Sequence, residues 1–205
     1  MNSTAEKETE YGVKYAEEAV NADMGYINSE HFAGKFRNIT SNEKVNRTLL
    51  ECSRRAIEHR SGTLYEDMYL INAVTGEIEG CQINAAIPQG VDYNDSMNNA
   101  IAKAEKNNIP LIALHTHPEG YPPSIDDFNS LYIHNYVKGV VVGHNGQVYV
   151  FDKPAEYVED VEGIQRDIAL AFQGGADVDR AYRETYTVYN INYNIEGGLG
   201  YEETR

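Results

Sequence analysis

The chain has no tryptophan, only two cysteines among 205 residues, few basic residues and no apolar run of membrane-spanning length. Each shortage excludes something. Cys52 and Cys81 have neither zinc-ribbon spacing nor that of a disulfide framework, so they are read as reduced thiols in a cytoplasmic compartment. Only 17 Lys and Arg stand against 32 Asp and Glu, a formal net charge of -15. Such a surface repels a phosphate backbone, and no nucleic-acid partner is expected. A spanning helix needs about 20 apolar residues in succession, so no membrane partner is expected either. Residues 1–10 lack the basic and then apolar order of a cleavable secretion signal. Sixteen tyrosines are a surplus without a functional message, because tyrosine serves cores and interfaces alike. No internal repeat or low-complexity tract stands out.

What the chain does have is a stretch rich in chemistry at residues 111–127. An apolar run, Leu111 to Leu114, reads as a buried strand that delivers His115 and His117 at its end. Strand side chains alternate between faces, so the two imidazoles point the same way. Asp127 opens a segment in which Phe128, Leu131, Tyr132 and Tyr136 fit one face of a helix, and its first turn can supply a third ligand. Two neutral imidazoles and a carboxylate suit zinc, and three protein ligands leave a position open for water, as in a catalytic site. The same residues have a structural use: Ser124 and Asp127 have the spacing of a helix-starting capping box.

The combination His115-Thr116-His117-Pro118, a short loop, then Ser124-Ile125-Asp126-Asp127 resembles the signature of the JAMM (JAB1/MPN/Mov34) metalloproteases. The resemblance covers about residues 64–151. The loop from Pro118 to Ser124 is a residue shorter than in the eukaryotic deubiquitinating members, which is similar to the prokaryotic JAB-like branch. The resemblance implies that His115, His117 and Asp127 bind Zn2+, that Ser124 stabilises the oxyanion and that an upstream Glu is the general base. In JAMM-like folds that Glu lies on a strand ahead of the His pair, which designates Glu66. The activity implied is zinc-dependent hydrolysis of an amide bond by a metallopeptidase or isopeptidase, with a protein or peptide substrate that includes the tail of a ubiquitin-like modifier. Two other classes stay open: a JAB-like interaction scaffold with a structural or vestigial metal site, and an unrelated His-x-His hydrolase built on a barrel, which needs about 250 residues.

In chain order, residues 1–39 read as an acidic N-terminal extension, a solvated arm with one helix over 13–20. Thr40 and Glu43 have capping-box spacing, and Val45, Leu49, Cys52 and Ala56 follow on one helical face. Strands are expected over 63–73, with Glu66 inside the first, and over 78–85; a helix over 95–107; and a hairpin of 137–143 with 147–151 around Asn145-Gly146. His134 and His144 are read as surface histidines. Residues 40–154 make the core, and 155–205 a C-terminal extension with a helix from Tyr157 to Ala171 and a half-exposed strand over 189–195. The fold class is α/β (α+β): a curved, largely antiparallel mixed sheet flanked by helices, with zinc at its edge. The resemblance makes it cytidine-deaminase-like, of JAB/MPN type.

Overall fold

A computed structural model describes residues 5–8, 14–17 and 19–197, the first two segments as backbone strands only. In chain order the elements are β1 (Ala5–Glu8), β2 (Lys14–Glu17), α1 (Met24–Ile27), α2 (Glu30–Gly34), α3 (Glu43–Arg60), β3 (Met68–Asn72), β4 (Ile78–Gln82), α4 (Asp95–Asn107), β5 (Leu111–His117), α5 (Ile125–Ile133), β6 (Lys138–Gly143), β7 (Val148–Asp152), α6 (Val161–Gln173), α7 (Val178–Val188) and β8 (Asn194–Ile195).

Six strands form one open sheet in the order β4-β3-β5-β6-β7-β8. Every neighbouring pair is antiparallel except β5 with β6. The mixed, largely antiparallel α+β architecture is thus present, and the open sheet excludes a closed barrel. The one parallel pair needs a crossover, and α5 supplies it. The end of β5 and the start of α5 therefore meet at the carboxyl end of an interior strand, the usual place for a ligand crevice in such a unit. This corrects the expected position at the sheet edge.

Strand alternation divides the core in two. Met68, Leu70, Leu111, Ala113, Val141, Tyr149 and Phe151 pack under α4 to α7. Their neighbours Tyr69, Ile71, Ile112, Leu114, Val140 and Val142 pack against α1 to α3. Helix, sheet and helix make three layers. Each Val, Leu or Ile so buried contributes about 1.5–3 kcal/mol. In α3 the residues Val45, Leu49, Cys52 and Ala56 face the sheet, as their spacing predicts. The cap differs from the expected Thr40–Glu43 box: Asn42 accepts from Lys44 N and Val45 N, while Thr40 Oγ1 donates to Asn46 Oδ1 at 2.9 Å.

The boundaries drawn at 39 and 154 do not divide this packing. Ile27, Phe32, Phe36 and Ile39 are buried against α3, so the solvated arm does not reach residue 39. Two short helices, capped by Asp23 and Ser29, place those aromatic anchors. The helix expected over 13–20 is not formed where the chain is described: residues 14–17 are strand β2, paired with β1, and Val13 and Glu18 lie outside the described residues. Farther on, α6 starts at Val161, and α7 occupies sequence that gave no helical expectation. The alternation over 189–195 buries Ile191 and Tyr193, yet only Asn194–Ile195 join the ladder, against Tyr149 and Val150 of β7. None of the helices among the described residues is long and apolar enough to cross a membrane.

Candidate metal centre

The site begins with register. Strand β3 pairs with β5 so that Met68 lies opposite His115. Beyond Met68 the contact continues, with Thr116 N donating to Asp67 O and Asp67 N donating to Thr116 Oγ1, both at 3.2 Å. Carried on two residues, that register sets Glu66 opposite His117 and on the same face as both histidines. Glu66 lies just ahead of β3 rather than inside a strand, and at 5% exposure it is buried rather than solvent-facing. Glu66, His115 and His117 each bring a ligand atom within 4.8 Å of the others, and this group could hold a metal ion.

Asp127 completes the cluster from the first turn of α5. Its Oδ1 lies 3.0 Å from His115 Nε2, its Oδ2 lies 3.3 Å from His117 Nε2, and the two Nε2 atoms are 3.1 Å apart. Arms of about 2.0–2.1 Å to a tetrahedral ion give ligand-to-ligand edges of about 3.3 Å, so the two imidazoles and the Asp127 carboxylate, which meets them through different oxygens, stand close enough to share one metal ion. The tautomer fits as well. His117 Nδ1 donates to the Tyr121 carbonyl at 2.9 Å, so in the neutral ring, the form that binds a metal, the Nε2 lone pair faces the cluster. Lone pairs converging at such distances repel one another unless a proton or a metal ion lies among them, and in the metal-free chain the proton that Asp127 holds on His117 serves.

The charges answer to that geometry. Burial pulls the His117 imidazolium down, but the hydrogen bond and charge of Asp127, with Glu66 and the Tyr121 carbonyl behind them, outweigh it and leave the group at about 9. Burial alone would raise Asp127; the two imidazoles instead hold its carboxyl well below the usual carboxylate range. Burial raises Glu66, against the pull of His117 and His115 and with the help of Asp127 and Glu119. A buried carboxylate with raised proton affinity suits a general base.

Ser124 forms the expected capping box. Its Oγ accepts from Asp127 N at 3.2 Å and donates to Asp127 Oδ2 at 2.9 Å, while Ser124 N donates to the same oxygen at 2.7 Å. These bonds load Oδ2 and leave Oδ1 as the freer lone-pair donor. They also commit the single Ser124 hydroxyl proton to Asp127, so oxyanion donation by Ser124 requires that proton to turn away from Oδ2.

A cleft of about 470 Å³ opens over the cluster and is lined by Glu66, His115, His117, Glu119, Ser124 and Asp127 among others. Gln89, from the loop between β4 and α4, reaches over to bond the Glu119 carboxylate. Behind Glu66, Asp67 is clamped by Arg60 Nε at 2.6 Å and His59 Nδ1 at 2.7 Å. No sequence signal marked Gln89, Arg60 or Asp67, because each meets its partner only through the fold. His134 is half-buried and stacks on Tyr136. His144, expected at the surface, is buried at 0% exposure, because the β6–β7 turn is covered by the chain around Val20 and by the metal loop. Compared with family models, with curated proteins and with solved structures, the chain gives no match.

Proposed function

We propose that this chain is a zinc-dependent amide hydrolase of the JAMM type, acting on a protein or peptide and including among its substrates the tail of a ubiquitin-like modifier. The observation that carries the reading is the meeting of His115 Nε2, His117 Nε2 and the Asp127 carboxylate, with contacts of 3.0–3.3 Å, beside a buried Glu66. His115, His117 and Asp127 would hold the ion. When bound, zinc supplies Lewis acidity toward the scissile carbonyl and lowers the pKa of a water to about 7. Glu66 takes the proton of the attacking water and hands it to the leaving amine. Ser124 turns its hydroxyl from Asp127 to the developing oxyanion. The cleft lining carries Glu66, Glu119, Asp126 and Asp127 but no lysine or arginine among the described residues, which disfavours a polyphosphate substrate and suits an amine leaving group. Free Cys52 and Cys81 accord with a cytoplasmic location.

Elemental analysis of the purified chain beside His117→Ala and Asp127→Ala tests the metal. Stoichiometric zinc in the wild type, lost from both variants, is the expected result. Glu66→Gln should then keep zinc and lose hydrolysis across a panel of peptides and isopeptides. A wild-type chain that takes no zinc after incubation with it refutes the enzyme and leaves a scaffold.

A further inference from the structure

The loop that joins the two halves of the metal cluster has an unusual hydrogen-bond economy. Between His117 and Ser124 stand Pro118, Pro122 and Pro123, three residues with carbonyls and no N–H. A buried carbonyl without a donor is costly, so donors must come from elsewhere in the fold. Four come from outside the loop, and Gly120 N adds one from within it. His144 N and Gly120 N donate to His117 O at 3.2 and 3.0 Å, and Val20 N donates to Pro118 O at 3.2 Å. Tyr149 Oη, from β7, donates to Gly120 O at 3.0 Å, and Tyr186 Oη, from α7, donates to Pro123 O at 2.7 Å. Both tyrosine bonds are buried. Between those two anchored carbonyls lies the Tyr121 carbonyl, the acceptor for His117 Nδ1.

Resting on the metal reading above, we propose that Tyr149 and Tyr186 are positioning residues for the metal centre. By fixing the Gly120 and Pro123 carbonyls they hold the Tyr121 carbonyl where it bonds His117 Nδ1, and so keep His117 Nε2 aimed at the ion. The C-terminal segment is then part of the site rather than an appendage, since Tyr186 belongs to α7. Tyr193 provides an internal control: its ring touches those of Tyr149 and Tyr186, yet among the described residues its buried hydroxyl has no hydrogen-bond partner and reaches no loop carbonyl.

The test uses the full chain as wild type, Tyr149→Phe, Tyr186→Phe, the double variant and Tyr193→Phe, each well below its melting temperature. Two quantities are read: zinc affinity by competition with a chelator, and the exchange rate of the His117 Nδ1 proton by NMR in the metal-free protein. Loss of a partner that orients a metal ligand weakens metal binding by about 10–100-fold. Tyr149→Phe and Tyr186→Phe should each do so and speed exchange of the Nδ1 proton, while Tyr193→Phe leaves both unchanged. Wild-type affinity and wild-type exchange in the folded double variant overturn the proposal, as does an equal loss in Tyr193→Phe, which would trace the effect to ring packing. If the wild type takes no zinc, the metal reading falls. Proton exchange then decides alone: faster exchange in the two hydroxyl variants upholds the positioning role, and unchanged exchange overturns it.

Discussion

Acid should destabilise this protein through His144. The imidazole is fully buried, neither ring nitrogen has a well-formed hydrogen bond among the described residues, and burial depresses its pKa from 6.5 to about 4. The Val20 carbonyl and Asp67 pull it back up, but weakly, and His117 adds to the fall. Because the unfolded chain binds a proton at His144 near pH 6.5 and the folded chain only near pH 4, stability from this residue is intact above 6.5 and drains away as pH falls toward 4. At 1.36 kcal/mol per pH unit the loss comes to about 3 kcal/mol. His144→Leu removes it, and at neutral pH it also removes two desolvated, unbonded nitrogens, each costing about 1–3 kcal/mol. Urea unfolding of both proteins with chelator present, from pH 8 to pH 4, isolates the residue, since titrations common to both cancel in the difference. The wild type should lose about 3 kcal/mol more than the variant between pH 7 and pH 4. Stability curves that fall in parallel would refute this account of His144.

The remaining outcomes are narrower. Ser124→Ala removes the N-cap of α5, with an expected loss of about 1 kcal/mol by thermal unfolding, and takes one of the two hydrogen bonds from Asp127 Oδ2, leaving that of Ser124 N, so weaker zinc binding in a competition assay should accompany it. Arg60→Ala leaves the buried Asp67 with the half-exposed His59 ring as its remaining ion-pair partner among the described residues; urea unfolding should show a loss of about 3 kcal/mol. At Gly139 an added Cβ would stand 2.2 Å from Phe151 Cζ, and that ring is already packed on Phe128 with centroids 4.7 Å apart. Gly139→Ala should cost about 1–3 kcal/mol by calorimetry, whereas Gly34→Ala, with nothing within 4 Å, should not destabilise the fold.

Local signals carried well into the fold. The Ala100 and Ile101 face predicted a helix over 95–107, and α4 has those bounds; Leu111 to Leu114 marked β5; Ser124 marked the start of α5. Each rests on spacing within a dozen residues. What failed rests on distance. Phe32 sits on a helix too short to show a period and Phe36 in the turn after it, so their burial against α3 has no local signature. The alternation of Tyr189 to Ile195 is real as burial, but after α7 only Asn194 and Ile195 of the described residues join the ladder with β7. Within the candidate site, the meeting of the His pair with Asp127 was legible because their spacing is written along the chain. Glu66 was designated through family resemblance, and only the β3–β5 register shows it opposite His117. Tyr149 and Tyr186 were two among sixteen tyrosines, and nothing short of the folded contacts separates them from the rest.

The strand β5 serves as a ruler for two networks at once. Its odd-numbered residues Leu111 and Ala113 enter the core under α5, and the same parity sends His115 and His117 to the metal face. The even-numbered Thr116 points the other way and ties down Asp67, whose carboxylate is held by Arg60 and His59 from α3. Glu66 is thus held through its neighbour, by groups that lie on the opposite face of the sheet from the cleft. A slip of one residue between β3 and β5 would exchange every inward side chain for an outward one, burying the imidazoles beneath α3 and presenting Thr116 to the cleft. The apolar residues on both faces forbid that slip, since Ile112 and Leu114 are as deeply buried as Leu111 and Ala113. Core packing and site geometry are therefore one constraint: the burial that stabilises the sheet also fixes which side chains meet at the metal centre.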